Sequence, residues 1–252
     1  MAGNTAAAGA TVTSRALSLL GAFDHRHRML SLTELAGRAQ MPVPTAHRLV
    51  GELVGWGALT RLPDGRYAIG RRLWDVGLLA PVQTGLRQAA SPFLHDVYAA
   101  TLATVHLAAR DRHQVLYLER LSGRASVPIV STVGSRLPLH CTGVGKVLLA
   151  FAPEAVQREV LQSRLRRVTR HTVTAPGLLA EQLRRVRIEG YATTVEEMSL
   201  GACSVAVPIH HTGDVVASVG IVVPSLRRER ARLVSALQVA ARGIERSLGG
   251  PS

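Results

Sequence analysis

The densest chemistry in the chain lies in Pro138–Lys146, which reads Pro-Leu-His-Cys-Thr-Gly-Val-Gly-Lys. His140 and Cys141 place a base beside a thiol. Nucleophilic catalysis also needs a third group to orient the base, and no such partner is visible. The simpler reading is a buried, inert Cys141. Thr142 has the side chain of a helix N-cap. Gly143, Val144 and Gly145 would then offer free N–H groups at a helix start, which attracts carboxylates and phosphates. The glycines let a ligand approach the backbone. The segment is not a nucleotide-binding P-loop, because His140 stands where Gly is required and Val147 where Ser or Thr is required. Cys141 and Cys203 are the only cysteines. They form no CxxC pair and no disulfide framework, which suits a reducing cytoplasm. No metal-ligand set and no cofactor motif is read, and none of either is expected.

A second constellation suits nucleic acid. Over residues 43–54, Ala46, Leu49, Val50 and Leu53 recur at helical spacing, leaving Thr45, Arg48 and Glu52 on the opposite face beside Pro44 and His47. Arg48 can pair bidentately with guanine and Thr45 can touch a base or a phosphate. The alternative for Arg48 is an i,i+4 pair with Glu52. Arg61 and Arg66 flank the turn Pro63-Asp64-Gly65 and suit backbone or minor-groove contact. Ser31 and Thr33 open the preceding helix, where they could meet phosphate. Val43, one residue before Pro44, could touch a thymine methyl group.

Three helices must position these groups: Val12–Phe23, a second opening with the capping box Ser31-Leu32-Thr33-Glu34, and a third over Val43–Val54 ended by Gly55 and Gly57. Two strand-like runs, 58–62 and 66–70, then surround the Asp-Gly turn as a hairpin. This is the layout of a winged helix-turn-helix; a simple three-helix bundle is the alternative. Residues 71–80 read as a linker helix, with Leu73, Trp74, Leu78 and Leu79 available to a partner helix. From 85 onward helices and strands are mixed. Helices are expected near 86–102, 143–151, 154–162, 178–189 and 228–248. Strands are expected near 104–109, 114–121, 126–132, 191–195, 204–209 and 215–223.

Composition sets the outer limits. With 252 residues, 47% of them hydrophobic and 19% charged, the chain can fill two modest cores. No apolar run reaches the ~18 residues of a membrane span. Residues 1–13 are Ala/Gly/Thr-rich without a basic residue, unlike the charged start of a signal peptide, and residues 1–11 read as a mobile tail. The net charge is +13, and all but one of the 30 basic residues are Arg, Lys146 being the exception. That suggests an anionic partner. The excess is larger after residue 80 than before it, so charge alone does not locate a DNA surface. Arg164, Arg166, Arg167 and Arg170 are read as a solvated face.

Taken in order, these segments resemble the IclR-type bacterial transcriptional regulators. Ser14-Arg15-Ala16-Leu17-Ser18-Leu19-Leu20 resembles the family's opening helix. Leu32-Thr33-Glu34-Leu35-Ala36 and Pro42–Leu49 resemble its helix-turn-helix, and Gly65–Gly70 the end of its wing. Val105-His106-Leu107-Ala108, Gly134–Lys146, Gly190-Tyr191-Ala192 and Val205–Ile209 complete the match over about residues 12 to 248. The resemblance implies an α+β protein: a winged helix-turn-helix at 12–70, a linker helix at 71–84 and a GAF-like α/β effector-binding domain at 85–252. It implies a ligand-responsive regulator, more often a repressor, that binds a palindromic promoter site as a homodimer or homotetramer and responds to a small carboxylate. It further implies a ligand pocket of Ile129, Leu137, Gly143, Val144, Thr194, Ala202, Ser204, Gly220 and Val222. Plain core packing is the alternative for Ile129, Leu137 and Val222. The chain departs from the family at Val43 and Pro44, where polar residues, often Lys and Ser, are usual. Several relatives also carry Asp near Thr194, Cys at Ser204 and Ser near Gly220 and Val222. The pocket here is less polar, which points to a carboxylate larger or more hydrophobic than a two-carbon acid. Two other classes compete: an enzyme or small-molecule-binding module with an accessory winged domain, and a non-specific architectural DNA binder.

Overall fold

The computed structural model describes residues 11–24, 27–78, 84–123, 126–127 and 129–249. The chain divides into two compact units, 1–82 and 83–252. All but Thr11 of the expected tail lies outside the described residues.

In the first unit, α1 (Val12–Leu20) is capped by Thr11, whose hydroxyl accepts from the Ser14 N–H. It ends at Gly21, shorter than the spacing suggested. Helix α2 (Leu32–Arg38) begins with the expected capping box. Ser31 Oγ accepts from the Glu34 N–H, and the Glu34 carboxylate accepts from the Ser31 N–H at 2.8 Å. A turn through Gln40, in the left-handed region at φ 53°, leads to α3 (Val43–Trp56). Gly55 lies inside α3. Gly57, with φ 86°, ends it, and the Ala58 N–H returns to the Leu53 carbonyl at 2.8 Å. The hairpin β1 (Leu59–Arg61) and β2 (Tyr67–Ile69) follows in antiparallel register, and Leu30 bridges to Tyr67. Leu19, Leu30, Leu35, Ala46, Leu49, Val50 and Leu59 form one core under all these elements. Helix α4 (Arg71–Leu78) covers most of the expected linker helix; Leu79 and Ala80 lie outside the described residues.

The second unit is an antiparallel six-stranded sheet in the order β5-β4-β3-β8-β7-β6. Its strands are β3 (Thr104–Asp111), β4 (Gln114–Leu121), β5 (Arg136–Pro138), β6 (Ala192–Val195), β7 (Cys203–His211) and β8 (Asp214–Val223). Period-two alternation divides the side chains between two layers. Val105, Leu107, Val205, Val207, Val219 and Ile221 face α5 (Thr84–Thr101) and α9 (Arg230–Leu248). Ala108, Val115, Tyr117 and Ala206 face α6 (Gly143–Ala150), α7 (Glu154–Gln162) and α8 (Pro176–Glu189).

One expectation fails here. Residues 126–132 carry no strand among those described, and β5 takes the place beside β4 instead, with Gln114 opposite Pro138 and Leu116 opposite Arg136. The β-branched run 127–132 contains Pro128, which has no N–H to give a ladder. A turn precedes it, with the Ser126 N–H on the Gly123 carbonyl.

Candidate functional site

Two sites stand on these scaffolds, one in each unit. In the first, α3 buries Ala46, Leu49 and Val50. Val43, Pro44, His47, Arg48 and Glu52 are left exposed and Thr45 half-buried. Arg48 donates to Glu52 at 2.6 Å, with both side chains 60% exposed. The intrahelical pair is therefore the state of the free protein. Such exposed pairs contribute a few tenths of a kcal/mol, whereas a bidentate guanine contact is worth ~1–3 kcal/mol. The pair restrains Arg48 without excluding base contact. Ser31 is committed to its capping box, while Thr33 is free on the surface. On the hairpin, the Arg61 guanidinium lies 6.0 Å from the Tyr67 ring centre and Arg66 donates to Asp64 at 2.8 Å. All nine residues thus sit on α2, α3 or the hairpin of one small unit.

In the second unit a cavity, partly open to solvent, lies between α6 and the sheet. The α6-facing side of the central strands carries small residues, Ala108 on β3, Ala206 on β7 and Gly220 on β8, and of these Gly220 lines the cavity. Thr142 caps α6, its hydroxyl accepting from the Gly145 N–H at 3.2 Å. The first two N–H groups of the helix, on Gly143 and Val144, have no intrahelical acceptor. Gly143 is held tightly against β7: a Cβ there would sit 2.5 Å from Ser204 Oγ. Ser204 in turn shares a 2.6 Å hydrogen bond with Thr194 on β6. All nine pocket residues named from sequence, Ile129, Leu137, Gly143, Val144, Thr194, Ala202, Ser204, Gly220 and Val222, line this cavity.

The cavity also has walls that sequence reasoning did not assign, among them His106, Tyr117, Ser131 and Met198. His106 Nε2 is 2.8 Å from Ser131 Oγ, and its ring meets Tyr117 edge-on at 4.8 Å. Burial, aided by the Arg120 charge, lowers the His106 pKa to about 3, so the imidazole is neutral. Burial pushes the Tyr117 phenol up, so it keeps its proton. The one signal in sequence was a polar residue at the same strand parity as Ala108. At the far side of α6, Lys146 forms a buried 2.5 Å ion pair with Glu197, their side chains 1% and 7% exposed. Burial depresses the Lys146 pKa. Cys141 is buried, and burial raises its thiol to about 12, far from a reactive thiolate.

Family models agree with both halves. The IclR helix-turn-helix domain matches residues 12–63, and the bacterial transcriptional regulator IclR C-terminal domain matches 80–246. The chain belongs to the IclR family of bacterial transcriptional regulators. It is 30% identical to the HTH-type transcriptional regulator XynR of Escherichia coli over 94% of this chain and 97% of XynR. It is 28% identical to the HTH-type transcriptional repressor AllR of Salmonella typhi, over 97% of this chain and 92% of AllR. Its fold matches the crystal structure of an IclR homolog complexed with 4-hydroxybenzoate from Microbacterium hydrocarbonoxydans. That match has a TM-score of 0.91 and 35% identity, and covers 95% of this chain and 99% of that one. As an IclR-family protein the chain is a ligand-responsive, DNA-binding transcriptional regulator of mixed α+β class. Among the described residues, no helix is long and apolar enough to cross a membrane.

Proposed function

We propose that this regulator is a cytoplasmic repressor whose effector is a small, largely apolar carboxylate, an aromatic acid in the first instance. Residues 12–70 bind DNA, 71–84 link, and 85–252 bind effector. One observation carries the ligand class. The cavity places the Thr194–Ser204 hydroxyl pair beside the first N–H groups of α6, as a carboxylate requires, with the apolar side chains Ile129, Leu137, Val144 and Val222 also in its wall. The 4-hydroxybenzoate bound by the homologous Microbacterium protein supports the same class. Repression is supported by the repressor AllR among its relatives. Burial raises the thiol of Cys203, the cysteine in the cavity wall, which supports a binding role there rather than catalysis.

DNA is contacted through α3 and the hairpin, with Arg48 and Thr45 on base edges, Val43 on a thymine methyl group, and Ser31, Thr33, Arg61 and Arg66 on the backbone. One winged domain touches few bases, so a homodimer or homotetramer on a palindromic operator is required. Trp74 on α4, 58% exposed, supports a partner surface there.

Calorimetric titration with a panel of acids tests the ligand class. Benzoate-type acids are expected to bind and glyoxylate to bind weakly or not at all. Tight glyoxylate binding with no response to larger acids would overturn it.

A further inference from the structure

The cavity has a second polar end. His106 and Ser131, 4% and 3% exposed, are joined by their 2.8 Å hydrogen bond and both line the wall. The sheet register separates this end from the first. Ser204 lies opposite Val222, Ala206 opposite Gly220, and Gly220 opposite His106. His106 is therefore two strands from β7, about 10 Å at the usual inter-strand spacing, and two residues further along the strand direction than Ser204. Between them the wall is apolar: Gly220 and Val222 on β8, with Val144 of α6 against Gly220.

The two ends differ in what they can accept. The α6 end offers N–H groups and two hydroxyls, which suits an anion. The His106 imidazole is neutral, so it gives no ionic partner to a carboxylate. Arg120 lies behind it, donating to the Ser131 carbonyl at 2.8 Å, and its Nε is buried without a partner. Arg120 does not line the cavity, but its positive charge favours a weakly acidic hydroxyl over a neutral methyl group at that end. Ser131 Oγ and the imidazole each keep hydrogen-bonding capacity beyond their mutual bond.

We propose that His106 and Ser131 are specificity-determining residues that read a hydroxyl on the effector ring, opposite the carboxylate held at the start of α6. This rests on the reading of the cavity as an aromatic-acid site. A ring with one polar group at each end satisfies both ends at once, and a plain benzoate leaves the His106–Ser131 end without its partner.

Calorimetry with benzoate and 4-hydroxybenzoate on the full chain, as wild type, Ser131→Ala and His106→Leu, tests this. Wild type is expected to favour 4-hydroxybenzoate by about tenfold, the scale of one well-made hydrogen bond. In Ser131→Ala the preference should fall to near unity while benzoate affinity stays within twofold. His106→Leu should behave alike where its thermal melt remains cooperative; Ser131→Ala carries the test where it does not. A preference that survives both substitutions, or benzoate and 4-hydroxybenzoate weakened equally, overturns the assignment while leaving the aromatic-acid site standing. Neither acid binding to wild type overturns the site and the assignment together.

Discussion

Burial at His106 has a consequence for stability. Its folded pKa is about 3, against an ordinary value near 6.5. As pH falls through 6.5 the unfolded chain takes up the proton first, so stability present above 6.5 is progressively lost toward pH 3. The loss at pH 5 should be about 2 kcal/mol, and His140, also depressed by burial, adds in the same sense. Denaturant midpoints at pH 7.5 and pH 5 should differ by less in His106→Leu than in wild type; an unchanged difference contradicts the assignment. Lys146 and Glu197 act differently. Their ion pair fastens the 196–199 segment, which carries the cavity residues Met198 and Ser199, to α6. Thr172 reinforces it by donating to the Glu197 carbonyl at 2.7 Å. Glu197→Gln should cost about 3–5 kcal/mol by leaving a buried charge unpaired, and adding Lys146→Met should restore much of that. Urea unfolding of the two variants checks this; a double variant no more stable than the single one would refute it.

At the scale of elements, α2 and α3 separate stability from recognition. Ser31 caps α2, so a phosphate contact and the cap share one hydroxyl. Ser31→Asn keeps a good cap and a donor for the Glu34 carboxylate but removes the hydroxyl from the DNA backbone. The melting temperature should hold while operator affinity falls. Glu52→Ala should release Arg48 from its pair and leave operator affinity equal or tighter, whereas Arg48→Ala should cost ~1–3 kcal/mol per half-site; gel-shift titrations read both. Much of this was legible in sequence, because the capping box, the Asp-Gly turn and the α3 spacing are local signals. The nine residues proposed for the pocket came from resemblance to the family, and all nine line the cavity. His106 and Ser131 were not legible. Strand alternation shows that His106 shares a face with Ala108, but whether that face meets a helix or a cavity depends on Gly220 and Ala206, on strands far along the chain. The strand expected at 126–132 failed for a similar reason. Its β-branched residues carry the propensity, yet a proline has no N–H to give a ladder, and the short β5 wins the edge through pairing that propensity does not show.

For the whole molecule, the proposed ligand and DNA sites lie in different units of the chain, so communication is a matter of coupled equilibria. An effector shifts operator affinity only if it binds two conformations unequally, with coupling on the usual scale of ~1–3 kcal/mol. Light scattering should show a dimer or tetramer of the 26.9 kDa chain; a monomer at working concentration contradicts the palindromic reading. The most direct test of the central claim is operator affinity by fluorescence anisotropy, with and without saturating 4-hydroxybenzoate, for wild type and for Thr194→Val combined with Ser204→Ala. The double change removes both partners of one hydrogen bond and should fold normally. Wild type should show a shift of roughly 5- to 150-fold on adding the acid, and the double variant should bind operator equally well without ligand but lose the shift. A shift of wild-type size in the double variant would place the effector elsewhere and contradict the account.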